Sequence, residues 1–293
     1  MQKSRSKFLI LVCFLCLQLF SETQAQRTFS NLKRISNGRG TLFGNFGWNR
    51  AYYTEGDITF KSYGYDFSLK EGHFSDKQSK SFSDFLSVNT PNSPQYNLRL
   101  GYYFRNKMAF SLGVDHIKYI FDDGNTALLS GTINQGIDSI WAGEYNNQTV
   151  ITNRTDFHLE NRMNYISLGL MRTEKLFQAR NKTFALCVSI GIGMGGVLSS
   201  TDFNFEKKYS KKAISMSGFQ LNAQGSVRLE FFQNFFIQGE LSGNSVYQNK
   251  LNTRKGDLTA LSKQHFLYGQ RAISVGFLIY FKPINGCDSC PVW

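Results

Sequence analysis

Large apolar and small side chains alternate at every position between Phe184 and Gly195. The large members are Phe184, Leu186, Val188, Ile190, Ile192 and Met194, and the residues between them are Ala185, Cys187, Ser189, Gly191, Gly193 and Gly195. Successive side chains of a β-strand point to opposite faces, so this period predicts a strand with one apolar face. The same period returns over 219–231 and 235–244, on either side of Gln233-Asn234.

The second face of these strands carries charged side chains, among them Arg228, Glu230 and Glu240. Runs of about ten alternating residues separated by turn residues are typical of transmembrane β-barrels, whose apolar face contacts lipid. Five further alternating runs lie at 41–52, 96–104, 110–114, 164–170 and 270–281. We therefore expect an all-β protein, an antiparallel transmembrane β-barrel of eight strands. Ten strands would require another membrane hairpin within 126–150.

The predicted connections alternate between short and long. The short ones are 105–107, 173–181 and 233–234, and the long ones are about 54–94, 121–162, 200–213 and 248–265. Such barrels have short periplasmic turns and longer extracellular loops, so the long segments are expected to be extracellular and β-rich. Within the second long segment, Asp122-Asp123-Gly124-Asn125 is a hairpin signal.

The two ends of the chain predict the cellular location. Residues 1–25 read as a secretory signal peptide, with Lys3, Arg5 and Lys7 before the apolar run 8–20 and a cleavage site near Ala25. The apolar run is too short for a membrane-spanning helix. We expect residues 26–40 to be a periplasmic lead-in, 41–281 the barrel and 282–293 a periplasmic tail. The predicted location is the bacterial outer membrane.

Composition and charge narrow the partners. A hydrophobic content of 41% and a mean hydropathy of −0.30 exclude a helical membrane protein but suit a barrel with polar loops. A protein with a formal charge of +12 could bind nucleic acid, but no recognition helix or aromatic-plus-basic RNA motif is present. Outer-membrane lipid, including phosphorylated lipopolysaccharide, is the more natural counter-charge. The barrel-assembly machinery is the partner expected during biogenesis.

The interior of an eight-stranded barrel is filled by side chains rather than water. The alternation along each strand places a polar set on the inward face, so these side chains are expected in the interior. They include Arg99, Asp115, Gln220, Arg228, Glu230 and Glu240. Ionisable residues inside a membrane can form an ion or proton path. They can equally form a structural salt-bridge network, since buried charges must be paired. The network is the favoured interpretation.

Two groups of residues are candidates for contacts outside the barrel. His116 and Lys118 are predicted to face outward at the outer rim. There they would either contact lipid phosphate or be ordinary polar residues of the rim that bind no ligand. The aromatic and basic set Trp48, Arg50, Tyr52, Tyr53 and Tyr65 lies at the outer end of the first strand and in the following segment. Aromatics with arginine suit recognition of a sugar or peptide, and they equally suit a membrane-interface belt.

Cysteine and histidine positions predict little chemistry. Cys287 and Cys290 form a C-x-x-C motif after the last strand, without a thioredoxin-like fold around it or a second such motif. A small disulfide loop in an oxidising compartment is expected there rather than a redox or metal site. The four histidines have no metal-ligand spacing, so we expect no metal and no cofactor.

Five short motifs resemble a known group of proteins. They are Gly47-Trp48-Asn49-Arg50-Ala51, Asp57-Ile58, Tyr65-Asp66-Phe67, Pro94-Gln95-Tyr96 and Gly113-Val114-Asp115-His116-Ile117-Lys118-Tyr119. In these motifs the chain is similar to uncharacterised outer-membrane β-barrel proteins of Bacteroidota. The resemblance covers most of the chain after residue 25 and is densest between 44 and 120. It implies the fold and the location, and no catalytic residue is carried over.

Three functions are compatible with this pattern. The first is a non-enzymatic surface protein for adhesion, ligand binding or envelope integrity, acting through 54–94 and 121–162. The second is a lipid A-modifying barrel enzyme, which would need a rim histidine within hydrogen-bond reach of a serine or an acid. The third is a narrow channel through the charged interior. No motif of the known lipid A deacylase or palmitoyltransferase barrels is present, so the first function is preferred.

Overall fold

The computed structural model describes residues 35–76, 95–121, 126–152, 154, 156–205 and 208–281, with Lys208 described in its backbone only. The predicted signal peptide, residues 26–34 of the lead-in and the predicted disulfide candidates Cys287 and Cys290 lie outside the described residues. No helix in the described part of the chain is long and apolar enough to cross a membrane.

The described residues form thirteen β-strands. They are β1 (Thr41–Tyr53), β2 (Gly56–Ser62), β3 (Tyr65–Gly72), β4 (Phe74–Asp76), β5 (Tyr96–Arg105), β6 (Met108–Phe121), β7 (Thr126–Ile133), β8 (Gly143–Ile151), β9 (His158–Gln178), β10 (Phe184–Phe205), β11 (Lys208–Phe231), β12 (Phe235–Asn252) and β13 (Leu261–Tyr280). All pairings between them are antiparallel.

Eight of these strands close into a barrel. Neighbouring strands follow the order β1-β5-β6-β9-β10-β11-β12-β13, and β13 pairs with β1 to complete the circle. The last strand pairs along the whole of β1, from Thr41 opposite Tyr280 to Tyr53 opposite Tyr268. The eight alternating runs of the sequence are therefore the eight barrel strands, and no further membrane hairpin is inserted among the described strands.

One end of the barrel carries the short connections. β5 and β6 are joined through Asn106–Lys107, and β11 and β12 through residues 232–234. The segment just before β1 is fixed to this end, since Asn37 Nδ2 donates to the Thr173 carbonyl at 3.0 Å and the Lys107 amide donates to the Asn37 carbonyl at 2.7 Å. The end of the predicted lead-in is therefore attached to the short-turn end of the barrel by hydrogen bonds.

The two faces of each barrel strand differ as the alternation predicts. Along β13, buried and exposed residues alternate almost without interruption, and the exposed set includes Ile273, Val275, Phe277 and Ile279. Equivalent outward residues are Leu98 and Leu100 on β5, Leu112 on β6, Leu168 on β9 and Ile190, Ile192 and Met194 on β10. An exposed apolar surface of this extent is not tolerated in water, and it is typical of a lipid-facing barrel wall.

Several strands continue far beyond the length that a bilayer needs. β10 and β11 contain 22 and 24 residues, whereas about 9–11 residues cross a membrane. Most of 200–213, predicted to be a loop, is therefore strand, and the predicted loop 248–265 contains only residues 253–260 between strands. The expectation that these segments are β-rich is confirmed, since backbone groups of 200–205 are paired with those of 208–214.

The same sheet continues beyond the barrel at its long-connection end. The outer part of β13 pairs with β2, and the order continues through β3 and β7 to β8. We call β2, β3, β7 and β8 the lobe. The predicted hairpin signal at 122–125 lies outside the described residues. The strands on either side have other partners, since β6 pairs with β4, β5 and β9 while β7 pairs with β3 and β8.

The lobe has a hydrophobic core shared with the outer parts of the barrel strands. Phe60 stacks on Phe203 with ring centroids 5.0 Å apart, and Trp141 lies 5.2 Å from Phe157. The remaining members include Ile58, Phe67, Leu69, Leu129, Leu159 and Phe205, all essentially inaccessible to solvent. The long connections therefore build a folded body rather than a set of independent loops.

Candidate functional site

A buried ionic cluster lies in the barrel interior. Arg99 Nη2 is 3.2 Å from Asp115 Oδ2 and 3.1 Å from Glu240 Oε1, and all three side chains are at most 6% exposed. The three residues come from β5, β6 and β12, where inward parity places them. Gly113 leaves the room for the arginine, since a Cβ at this position would lie 2.6 Å from Arg99 Nη1.

A second buried guanidinium connects to this cluster. Arg228 Nε donates to Gln238 Oε1 at 3.1 Å, and Gln238 Nε2 donates to Glu240 Oε2 at 3.3 Å. The Arg228 guanidinium also lies over two rings, 4.2 Å from the centroid of Phe236 and 5.1 Å from that of Phe43. Cation–π contacts of this kind stabilise a desolvated arginine.

The other predicted interior residues have neutral partners. Glu230 Oε1 accepts a hydrogen bond from Cys187 Sγ at 3.4 Å, and Gln220 Nε2 donates to Asn244 Oδ1 and Tyr268 Oη at 3.0 and 2.7 Å. The structure therefore brings Arg99, Asp115 and Glu240 into direct contact, joins Arg228 through Gln238, and places Glu230 and Gln220 in separate contacts. No group of three potential metal ligands occurs among the described residues.

Aromatic rings fill the barrel where it meets the lobe. Tyr53, Phe74, Tyr119, Phe266 and Tyr268 are in mutual ring contact, with Tyr53 5.6 Å from Tyr268 and Phe74 5.3 Å from Phe266. A continuous wet path past the interior charges would have to displace these rings. The packing thus disfavours a channel.

The five aromatic and basic candidates are divided between two environments. Trp48 and Tyr52 face outward and are 45% and 57% exposed, and Arg50 lies between them on the same face of β1. Tyr65 is buried in the core shared by barrel and lobe, and the partly buried Tyr53 packs against this core. The sequence does not distinguish these two residues from Trp48 and Tyr52, because core aromatics and surface aromatics have the same local sequence appearance.

The predicted rim pair does not lie at an exposed rim. His116 is 8% exposed and Lys118 2% exposed. The His116 ring stacks on Tyr96 with centroids 5.2 Å apart, and its Nδ1 lies 2.8 Å from Asn164 Oδ1. Outward parity was the right expectation for a barrel wall, but at this height neighbouring side chains cover the outer face. Neither residue is accessible to a lipid phosphate.

A serine–histidine contact appears that the sequence did not indicate. His265 Nε2 lies 3.5 Å from Ser245 Oγ on the outward face of β12 and β13, and Asp57 of β2 is the cross-strand neighbour of His265. The Asp57 carboxylate is not within ion-pair distance of the imidazole, since the described residues give His265 no salt bridge. The pair depends on the register of two strands, which no local sequence signal reveals.

The lobe ends in a polar edge strand. Among the described strands, β8 pairs only with β7, and its side chains Glu144, Asn146, Asn147, Gln148 and Thr149 are exposed. Asn147 adopts a φ of 51°, and its amide donates to Ser130 Oγ at 2.9 Å. This irregularity lies at a register shift between β7 and β8. Irregular, polar edges resist pairing with other strands, so contacts here are made through side chains.

A loop clamp holds the connection between β7 and β8. Arg154 Nη2 lies 2.7 Å from both Asp138 Oδ2 and Asp156 Oδ2, and its guanidinium lies 4.6 Å from the Trp141 ring centroid. Burial raises the pKa of Asp138, but hydrogen bonds from Arg154 and from two backbone amides outweigh it and hold that pKa below its ordinary value. Hydrogen bonding to Arg154 likewise lowers the pKa of Asp156.

Comparisons with known proteins find only distant structural similarity. No protein-family model matches the sequence, and a search of curated proteins finds no match. The chain is similar to neisserial surface protein A, with 11% identity and a TM-score of 0.38 over 81% of this chain and 96% of that chain.

Two further similar structures are outer-membrane proteins of other bacteria. The outer-membrane protease OmpT from Escherichia coli has 8% identity and a TM-score of 0.39 over 84% of this chain and 99% of that chain. Ail, the attachment invasion locus protein of Yersinia pestis, in complex with the heparin analogue sucrose octasulfate, has 11% identity and a TM-score of 0.32 over 82% and 99%. The fold of the present chain is established by its own strand pairing.

Proposed function

We propose that this chain is an integral outer-membrane β-barrel whose lobe lies outside the cell and binds a partner there without catalysis. The observation that carries the proposal is the lobe itself, four strands that share a buried aromatic core with the outer parts of the barrel strands and end in a polar, exposed strand. Burying one phenylalanine contributes about 1.5–3 kcal/mol, and the shared core buries Phe60 and Phe67 of the lobe against Phe203 and Phe205 of β10. Such a body is rigid enough to hold a recognition surface.

The outward apolar wall supports the membrane location. It covers all eight barrel strands and is bordered by Trp48 and Tyr96 at the end nearer the lobe. Aromatic residues are enriched at membrane interfaces. Short turns lie on the periplasmic side of such barrels and long connections outside, which supports a lobe at the cell surface.

The chemistry of β8 indicates the kind of partner. The exposed amide side chains of Asn146 and Gln148 each offer a donor and an acceptor. The Asn147 side chain is also exposed, but its Oδ1 already accepts hydrogen bonds from Ser130 Oγ and Lys70 Nζ. Amides recognise hydroxyl groups of sugars and the backbone of peptides through hydrogen bonds, and they require no charge on the partner. A neutral glycan or an extended peptide fits this strand.

The location is tested by labelling intact cells. In a Cys287→Ser, Cys290→Ser background, Thr149→Cys is expected to react with a membrane-impermeant maleimide on intact cells. Asn181→Cys, in the short-turn end, is the matched control and is expected to react only after lysis. Labelling of Asn181→Cys alone on intact cells would reverse the orientation and refute the proposal.

Binding is tested with the same cells on an array of neutral glycans and peptides. Binding that is lost in Asn146→Ala, Gln148→Ala but retained in Gln178→Ala, Asn181→Ala supports recognition by β8. The second variant removes two amides at the opposite end of the barrel. Equal binding by both variants would refute a role for this strand.

The contact between Ser245 and His265 favours a second candidate function, hydrolysis of an ester in an outer-leaflet lipid. A serine nucleophile needs a base within about 2.6–3.2 Å, a range that loosens in unliganded structures, and the observed 3.5 Å lies just beyond it. Lipid A from cells producing the natural chain or Ser245→Ala is compared by mass spectrometry. An acyl chain that is removed only by the natural chain would establish the enzyme, and identical spectra would eliminate it.

A further inference from the structure

Two arginines face each other on the outward wall of the barrel. Arg50 of β1 is the direct cross-strand partner of Arg271 of β13. The next outward pair toward the short turns is Trp48 with Ile273, and the next toward the lobe is Tyr52 with Gly269. The arginines therefore interrupt a wall of apolar and aromatic side chains.

The charge of this pair is incompletely compensated. Arg50 Nη1 lies 3.7 Å from Asp76 Oδ2, whereas Arg271 makes no ion pair with any described residue. The Arg271 guanidinium lies 5.3 Å from the centroid of the Tyr52 ring. Like charges directly opposite each other destabilise a sheet. With one carboxylate beside two guanidinium groups, one positive charge is uncompensated, and an additional anion would neutralise it.

Two surface cavities meet at Arg271. One, of about 320 Å³, is bounded by Tyr52, Leu241, Gly243, Gly269 and Arg271. The other, of about 360 Å³, is lined by both arginines together with Asp76. In the first cavity Gly243 and Gly269 are cross-strand partners, and a Cβ on either would meet no protein atom within 4 Å. The cavity is thus open from the outside, with a smooth apolar floor beside a positive charge.

The height of the pair on the barrel fits the headgroup region of a bilayer. Trp48 is the cross-strand partner of Tyr96, and the arginines lie two residues farther from the short turns. Aromatic rings at a membrane boundary lie near the headgroups, so the guanidinium groups reach the level of lipid phosphates. This step rests on the proposed membrane location and orientation.

We propose that Arg50 and Arg271 bind the phosphate of a phosphorylated glycolipid of the outer leaflet. Guanidinium groups bind phosphate oxygens in pairs of charge-assisted hydrogen bonds. An acyl chain of the same lipid lies over the cavity lined by Gly243 and Gly269. The charge and the apolar floor select this lipid over a free phosphate ion, which would use only the arginines. They also select it over a neutral lipid, which would use only the floor.

The test uses the full mature chain folded in detergent micelles, with lipid A and its dephosphorylated form as the two probes. Native mass spectrometry measures the dissociation constants. We expect lipid A to bind at least tenfold more tightly than the dephosphorylated form, and Arg50→Gln, Arg271→Gln to abolish this difference. The control Arg180→Gln, Lys263→Gln removes the same charge elsewhere and is expected to keep it. Gly269→Leu, which fills the cavity, is expected to weaken lipid A binding several-fold.

Four outcomes would overturn the inference. Equal binding of both probes by the natural chain would show that there is no preference for phosphate. An equal loss of the preference in the control variant would show that it depends on the overall charge of the protein rather than on this pair of arginines. If inorganic phosphate displaced lipid A at an equal concentration, the arginines would be a site for a free anion rather than for a lipid. Dimerisation of the natural chain that Gly269→Leu prevents would assign the glycine-lined face to a second copy.

The proposed function is distinguished by a separate readout on the same samples. Heat-modifiable migration in detergent gels and insertion into lipid vesicles report whether the barrel forms and enters a membrane. A chain that does not insert refutes the membrane location itself. A chain that inserts but shows no phosphate preference refutes only the lipid site.

Discussion

Replacing Arg99 by methionine is expected to destabilise the barrel strongly. The guanidinium is the ion-pair partner of both Asp115 and Glu240, and all three side chains are buried. Its removal leaves two carboxylates in the interior without a cation. Removing one partner of a buried ion pair costs roughly 3–5 kcal/mol, and the double pairing of Arg99 places the expected loss in the upper part of this range.

A compensated variant separates the charge from the packing. In Arg99→Met, Asp115→Asn, Glu240→Gln the carboxylates are neutral, and half or more of the lost stability is expected to return, since a buried ion pair and a neutral replacement are often nearly equivalent. The exposed pair Arg172–Glu174 gives the control. Arg172→Met is expected to change stability by at most about 1 kcal/mol.

Unfolding in urea from lipid vesicles, followed by heat-modifiable gel migration, measures these differences. If Arg99→Met costs less than about 1 kcal/mol, the carboxylates are screened by water. The barrel interior would then be wet, and the argument against a channel would fail. A loss that the neutral variant does not reduce would instead show that the arginine acts by packing.

Two further predictions concern backbone space and acid. Gly195→Ala is expected to destabilise the barrel by about 1–3 kcal/mol, since its Cβ would lie 1.9 Å from a backbone carbonyl oxygen of β9, whereas Gly225→Ala meets no atom within 4 Å and is expected to be neutral in the same urea assay. The clamp between Asp138 and Arg154 stabilises the lobe at pH values above the ordinary aspartate pKa of about 3.9, and this contribution is lost as the pH falls through the lowered pKa of Asp138. Hydrogen exchange of the Trp141 amide, which donates to Asp138 Oδ1 at 2.6 Å, is therefore expected to lose protection as the pH falls through this lowered pKa; protection that is unchanged in Asp138→Ala would contradict the role of the carboxylate.

The barrel wall is the part of the structure that the sequence determines locally. The alternation from Phe184 to Gly195 requires only the two-residue period of a strand, and β10 realises it with Ile190, Ile192 and Met194 outward. Inward parity also places Arg99, Asp115 and Glu240 in the interior. Both results follow from one strand at a time, because side-chain direction is a local property of the backbone.

The lobe and its contacts depend on the tertiary structure. The pairing of β13 with β2 and of β3 with β7 joins segments far apart in the chain, and it turns Tyr65 into a core residue. It also gives β7 the partners β3 and β8 rather than β6, the strand before it in the chain. Loop composition could not predict these outcomes, since the energy of burying a ring depends on which distant strand covers it.

The sites on the outer wall depend on register. Arg50 and Arg271 are 221 positions apart in the numbering and meet only because β13 closes on β1 in one alignment. A shift by one residue would turn each of these side chains to the other face of the sheet. The sequence by itself therefore determined which side chains face lipid and which face the interior. Only the closed barrel decided which of them are neighbours, because a pair across two strands exists only once their alignment is set.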